Sequence, residues 1–415
     1  MLRIFAVFIL CTVVFCSCGQ KTAQNTGENA LTGVYPDSAQ DRLENVDNDF
    51  SKGIWISQFD MKGIYLDKGR QRDKESFKAL SEKVLGNVAK MGFDTVYFQV
   101  HPYGDSFYSS EYFPWSEYVC GEYSLSPSYD PFEVICDICK ELGLSLHAWI
   151  NPMRLQSLEK AKLLSDGSPY TRLLKNNSGE ICSFEGRYYF DPSYENVREL
   201  IACVAEELAR NYPIDGVHID DYFYPTEEAS FDKIGYERYK EEGGRAELGE
   251  FRRESVSLMV KEIYEAVKQV DKRLVFSISP AGNAKNVYES MYADIYRWCG
   301  EGGYCDLVIP QLYYGLRHEK FPFDKALASW EELCKGGRVK LIIGVTFSKI
   351  GLKEDIYAGT GRYEWAQDED ILAKSARCVA DSECASGIAV FSYGYIVSNE
   401  AEAERKAFLK VLQEM

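Results

Sequence analysis

The 415-residue chain predicts a single (β/α)8 barrel, and three observations carry that expectation. Short β-rich runs alternate with amphipathic helical stretches eight times over. Connections from helix into strand are tight, while several connections from strand into helix are long. A closed parallel barrel whose working face lies at the C-terminal strand ends satisfies all three.

The elements follow in order. Strand 53–57 leads to helix 76–91, and Met91-Gly92-Phe93-Asp94 turns at once into strand 95–101. The first long connection, 102–130, precedes helix 131–142, whose apolar face includes Cys136 and Cys139; there they read as core thiols rather than redox or zinc ligands. Leu142-Gly143-Leu144 enters strand 145–151, and a second long connection, 152–193, precedes helix 194–211. In Asp215-Gly-Val-His-Ile-Asp220 the alternation of strand 216–220 turns Val217 and Ile219 one way and His218 and Asp220 the other. The third long connection, 221–247, leads to helix 248–270. Strands 274–279, 307–311, 341–346 and 387–393 then alternate with helices 286–300, 323–334, 368–381 and 399–413.

Ahead of this domain, Arg3 and the apolar run from Ile4 to Phe15 have the form of a secretory signal, too short to span a bilayer. Ser17-Cys18-Gly19 resembles a lipobox, so residues 1–18 are expected to be a leader ending in a lipidated Cys18. Residues 19–49 are polar and read as a flexible tether. Residues 50–415 form the barrel, and 29 Tyr, 22 Phe and 6 Trp in the chain supply a core of that size. The expected place is outside the cytoplasm, anchored to the bacterial membrane by lipid. A net charge of −17 with no basic run argues against nucleic acid or an anionic surface as partner. The expected state is a monomer without cofactor. Cys299 with Cys305, and Cys378 with Cys384, are close enough in sequence to pair.

Alternate residues at the strand ends collect an inward set of Trp55, Ser57, Gln99, His101, His147, Trp149, Asn151, His218, Asp220, Ser277, Ser279, Gln311, Tyr313, Phe391 and Tyr393. Barrel interiors are usually Val, Ile and Leu, so a polar and aromatic mouth implies a ligand. Trp149, Tyr222, Tyr224, Tyr313 and Tyr393 suit stacking on sugar faces, and Gln99, Asn151 and Gln311 suit hydroxyls. Any one ring would read as core; as a set around one rim they read as a polysaccharide site.

Glycoside hydrolysis by this route needs two carboxyl groups. Asp220 is the better placed, as nucleophile or base oriented by His147 or His218; Asp221 is the favoured partner, with Asp105 in the loop after the second strand as the alternative. Two other classes stay open. His101, His147 and His218 with Asp220 would make a zinc site for deacetylation, although no His-x-His pair is present. A glycan-binding lipoprotein without catalysis is the other.

Several stretches also carry a resemblance. Gly53-Ile-Trp-Ile, Phe98-Gln-Val-His-Pro-Tyr-Gly-Asp-Ser-Phe-Tyr108, Pro114-Trp-Ser-Glu-Tyr118, Tyr129-Asp-Pro131, His147-Ala-Trp-Ile-Asn-Pro-Met-Arg154, Asp215-Gly-Val-His-Ile-Asp-Asp-Tyr-Phe-Tyr-Pro225, Ser277-Ile-Ser-Pro280 and Pro310-Gln-Leu-Tyr313 resemble the glycosyl-hydrolase-like 10 family. That resemblance implies a TIM barrel of exported, often lipidated bacterial proteins acting on glycans, with peptidoglycan as substrate and Arg154 in the binding motif. Chitinase-type barrels, by contrast, carry Asp-Gly-x-Asp-x-Asp-x-Glu on the fourth strand. Here Tyr222 stands in place of that Glu, so a chitinase is not expected.

Overall fold

A computed structural model describes residues 50–415 apart from Asn177; the leader, Cys18 and the tether lie outside the described residues. Eight parallel strands close a barrel: β1 (Ser51–Ile56), β2 (Thr95–His101), β3 (Ser145–Ile150), β4 (Gly216–Ile219), β5 (Val275–Ile278), β6 (Leu307–Val308), β7 (Lys340–Thr346) and β8 (Ala385–Phe391). Their order around the ring is sequential, and β1 pairs with β8 from Ser51↔Gly387 to Ile54↔Val390 to shut it. The outer helices are α1 (Lys74–Lys90), α2 (Pro131–Leu142), α3 (Glu195–Asn211), α4 (Leu248–Val270), α5 (Ile295–Gly300), α6 (Phe323–Cys334), α7 (Ile371–Ala380) and α8 (Glu402–Glu414). All eight expected strands and helices are present.

Local chemistry sets the helix ends. Before α2, the Asp130 side chain accepts from the Phe132 N–H and Pro131 takes the first turn, where its missing N–H costs nothing. Gly143 ends the helix at φ +71°, a conformation L side chains avoid. Phe132, Val134, Ile135 and Ile138 are then buried toward the barrel, each stabilising by roughly 1.5–3 kcal/mol.

Apolar packing falls into two bodies. The larger lies between strands and helices; the smaller fills the barrel with Trp55, Tyr97, Trp149, Leu307, Ile309, Ile342 and Ala389. Gly216 makes room inside, because a Cβ there would stand 2.8 Å from the His147 ring and 2.5 Å from the Val275 carbonyl oxygen.

The structure revises four expectations. Helix 286–300 is two pieces, Ala284–Glu289 and α5, because Tyr292 adopts φ +54° and Asp294 starts afresh by accepting from the Arg297 N–H. The sixth strand keeps only two residues, since Pro310 has no N–H to give the ladder. The eighth ends at Phe391, and Tyr393 opens a short helix to Ile396. The connection 152–193 holds an unforeseen antiparallel sheet of Arg154–Ser157, Ile181–Phe184 and Arg187–Phe190. The cysteines from Cys120 to Cys384 are all free thiols, and Cys334 hydrogen-bonds Cys299 rather than either thiol joining Cys305 in a disulfide.

Candidate active site

Strand β4 ends in the mouth with His218 below and Asp220 above. His218 is pinned from two sides: the Trp55 indole N–H donates to Nε2 at 3.0 Å, and Nδ1 lies 2.8 Å from the Ser277 hydroxyl. An indole can only donate, so Nε2 is the accepting nitrogen and the ring is neutral. Burial holds its pKa well below the usual histidine range, and the His147 charge adds to this. Burial likewise lowers His147 to about 4 and His101 to about 3.

Asp220 is oriented by nitrogen donors rather than by a histidine. Its Oδ2 accepts from the Trp149 indole at 3.1 Å and from the Asn151 amide at 2.5 Å, and its Oδ1 from the Tyr222 N–H at 3.3 Å. Asn151 is itself fixed, because its Oδ1 accepts from the Gln99 amide at 2.8 Å while the Gln99 Oε1 accepts from the Gln58 backbone N–H at 3.1 Å. A backbone N–H cannot accept, so every amide in this chain has one permitted orientation, and it ends with an N–H aimed at Asp220. The Gln58 side chain continues outward to the Tyr103 hydroxyl at 2.7 Å.

Burial first and the charge of Asp221 second raise the Asp220 pKa to about 7, against the pull of Arg154, Asn151 and the Tyr222 N–H. Asp221 is also raised by burial, with the Gln311 amide and Arg154 opposing. Arg154 donates to the Pro102 carbonyl at 3.2 Å and lays its guanidinium 3.6 Å over the Tyr222 ring and 4.7 Å from the centre of Tyr103. Tyr222 is 46% exposed and forms part of the rim. Burial, then Asp221 and Asp220, raise the Tyr313 phenol well above its usual value.

Four residues of the expected set stand elsewhere. A bulge between Gln99 and His101 pairs His101 with the outward Ile150, so its ring meets Phe113 edge-on at 4.5 Å in the outer layer. Asp105 is buried in its own loop, accepting from the Tyr103 N–H at 3.0 Å; burial raises it to about 6, and its charged neighbours are Glu117 and Lys160. Tyr224 is buried against Tyr292 at 5.4 Å and Phe231 at 5.8 Å, with Arg252 5.0 Å over its ring. Tyr393 faces outward, its hydroxyl accepting from Asn87 of α1 at 3.2 Å. Trp55, Gln99, His147, Trp149, Asn151, Arg154, His218, Tyr222, Gln311 and Tyr313 line the interior or the mouth.

These placements separate the histidines that a zinc site would need. His101 has left the interior, and both nitrogens of His218 are engaged; among the described residues no three His, Cys, Asp or Glu groups are arranged to hold a metal ion. Sequence reasoning missed Gln58 and Tyr103. Ser57-Gln-Phe-Asp60 reads as a helix start, and it is one, the Asp60 carboxylate accepting from the Ser57 N–H in a capping box. That local pattern hides the second use of Gln58.

A profile of glycosyl hydrolase-like 10 matches residues 51–358. The chain belongs to the glycosyl hydrolase-like 10 family. The match runs from β1 through β7 and so includes every strand that contributes Gln99, Asn151, Asp220 and Gln311. Two relatives agree with it. Glycosyl hydrolase DigH of Escherichia coli (strain K12) is 26% identical over 372 residues, covering 83% of each chain. Glycosyl hydrolase YngK of Bacillus subtilis (strain 168) is 31% identical over 287 residues, 65% of this chain and 55% of the relative. Among solved structures, the PgaB (BpsB) glycoside hydrolase domain from Bordetella bronchiseptica aligns with a TM-score of 0.55 at 13% identity, over 86% of this chain and 99% of that domain. The beta-galactosidase from Marinomonas ef1 aligns at 0.53 and 11% identity, over 88% and 59%. These two likenesses show the barrel fold of this chain. The family carries the assignment of this chain as a glycoside hydrolase.

Proposed function

We propose that the protein is an exported, lipid-anchored hydrolase that cuts a glycosidic bond in an amino-sugar polysaccharide, with peptidoglycan glycan strands as the substrate. The observation that carries the reading is the Asp220 and Asp221 pair at the barrel mouth, with Asp220 held by Trp149 and Asn151 and both acids facing Arg154. Two acids raised by burial and set against one cation can exchange the protons that cutting at a glycosidic oxygen needs. The rim of Tyr222, Tyr313 and the amides supports sugar as guest, and the leader ending at Cys18 supports the location. A protein of net charge −17 gains nothing electrostatically from polyanionic polymers, so acetylated, neutral stretches of glycan are favoured.

The test digests purified sacculi, with and without stem peptides, beside neutral glucans, and follows reducing ends and fragment mass. Release from sacculus glycan is expected. Release from a glucan alone would reject the amino-sugar reading, and zinc-stimulated loss of acetate without chain cutting would favour deacetylation. Cys18→Ala is expected to leave the membrane fraction or to remain unprocessed; a processed variant still held by the membrane would reject the anchor.

A further inference from the structure

Two-carboxylate hydrolysis places its acids on opposite sides of the scissile bond, about 5–5.5 Å apart for retention or roughly 6.5–9.5 Å for inversion. Asp220 and Asp221 are consecutive at the end of one strand, so they meet a sugar from one wall. The strand across the ring is β8, and it brings Phe391 to the interior, 6.4 Å from Trp55 and 6.0 Å from Tyr313. The other acids of these loops are held by donors or, as Asp105 and Asp191, are fully buried away from the mouth with one carboxylate oxygen unpartnered. Asp60 accepts from the Ser57 N–H at 2.7 Å and the Gly394 N–H at 2.8 Å; Asp191 accepts from the Ser193 N–H at 2.9 Å. Asp355 pairs with Lys349 at 2.6 Å, and Glu364 accepts from the Leu316 and Arg317 N–H groups at 2.9 Å. Asp105 is sealed in its loop.

Against this, hydroxyl groups stand at the neighbouring strand ends: the Ser279 N–H donates to the Ile219 carbonyl at 2.8 Å, which sets Ser279 next to Asp220 in the sheet. Ser279 lies two residues beyond Ser277 on the inward face of β5, is buried, and has a hydroxyl that meets no hydrogen-bond partner. The Tyr313 ring lies 6.0 Å from Phe391, and its phenol feels the charge of both carboxylates. Three N–H donors fix the Asp220 carboxyl in place, while Asp221 meets the Gln311 amide, and burial raises both acids.

We infer that the missing nucleophile is part of the substrate: a 2-acetamido group on the sugar whose bond is cut, with Asp220 facing its N–H, Tyr313 its carbonyl side and Asp221 the glycosidic oxygen. The inference rests on the amino-sugar reading above. In the first step the acetamido oxygen forms a bond to C1 as the bond from C1 to the leaving oxygen breaks, and that oxygen takes the Asp221 proton. The positive charge now on the ring-closed acetamido nitrogen faces the Asp220 carboxylate. In the second step water attacks C1 and gives its proton to Asp221, the C1 bond to the acetamido oxygen breaks, and the acetamido group is restored. The sum is addition of water with retained configuration.

The test uses the full chain, an N-acetylated glycan oligomer and its fully deacetylated counterpart, and a sugar thiazoline that mimics the closed intermediate. The acetylated oligomer is expected to be cut with retention, about 1,000-fold faster than the deacetylated one. The thiazoline is expected to bind the unaltered protein by calorimetry and to lose about 100-fold with Asp220→Ala. Asp220→Asn, which keeps the shape, replaces it if Asp220→Ala does not fold. Asp221→Ala should keep thiazoline binding and, with an aryl N-acetyl glycoside and azide, give a glycosyl azide of the substrate's own configuration. Inversion, equal cutting of both oligomers, or a fluorosugar adduct trapped on Asp220 would overturn the inference while leaving the amino-sugar reading intact. Cutting of glucans alone would remove both.

Discussion

The segment from Asp220 to Asp232 takes part in two clusters built from the same parts, carboxylate, arginine and tyrosine, and they behave in opposite ways. In the core, Arg252 grips Asp232 with two bonds of 2.6 and 2.9 Å, donates also to the Glu228 carbonyl at 2.7 Å, and lies over Tyr224 and Tyr292. Burial pulls the Arg252 pKa down, but Asp232 more than restores it. At the mouth, Arg154 stacks on Tyr222 and makes no direct bond to either acid among those described, so both carboxylates remain raised by burial, and Asp220 also by the charge of Asp221. Full pairing makes structure; incomplete pairing leaves acids able to exchange protons near neutrality.

Breaking each cluster tests that contrast, beginning with the largest effect. Asp220→Asn is expected to lower turnover by roughly three to five orders of magnitude with an unchanged circular dichroism spectrum. Because the folded Asp220 pKa is raised, folding carries a cost above the ordinary value of 3.8 that grows until about pH 7. Asn carries no such cost, so the variant should melt a few degrees higher at neutral pH and lose that gain below about pH 4. A variant that melts no higher and keeps its activity would make Asp220 a structural residue. Asp232→Ala should do the reverse, costing roughly 3–5 kcal/mol in denaturant unfolding because it strands Arg252, while turnover per folded molecule stays within about twofold.

Arg154→Gln removes the one cation that lowers both mouth acids. Both pKa values rise, so the singly protonated pair and the optimum of the pH–rate profile move to higher pH by about one unit, with activity below pH 6 falling roughly tenfold. An optimum that stays in place would show that Arg154 serves only Tyr222. The smallest effect is expected from Gln99→Leu, which frees the Asn151 amide to turn; kcat should fall about tenfold with KM little changed. A change in KM alone would make Gln99 a substrate contact.

Much of this was legible in the sequence. Period-two alternation in Asp215-Gly-Val-His-Ile-Asp220 placed His218 and Asp220 inside, and the expected helix 131–142 matches α2 at both ends. What alternation could not give was its own interruption. The bulge after Gln99 reverses the facing of His101, and the end of β8 at Phe391 sends Tyr393 outward, because both depend on pairing with neighbours distant in sequence. Tyr222 and Tyr224 show the same limit: two like residues in one motif divide between rim and core according to which arginine each meets.

Closure of the barrel between β1 and β8 has a directional consequence. Ser51 begins β1 at the face where the strands start, while Ile56 ends it beside Ser57 and Gln58, at the level of the amides that lead to Asp220. The polypeptide thus enters the domain through the floor and presents Asp220 at the ceiling, about six residues or ~20 Å of extended strand away. The start of β1 and the amides that hold Asp220 therefore lie at opposite ends of one strand, and the open top of the barrel is left to the side chains of the mouth.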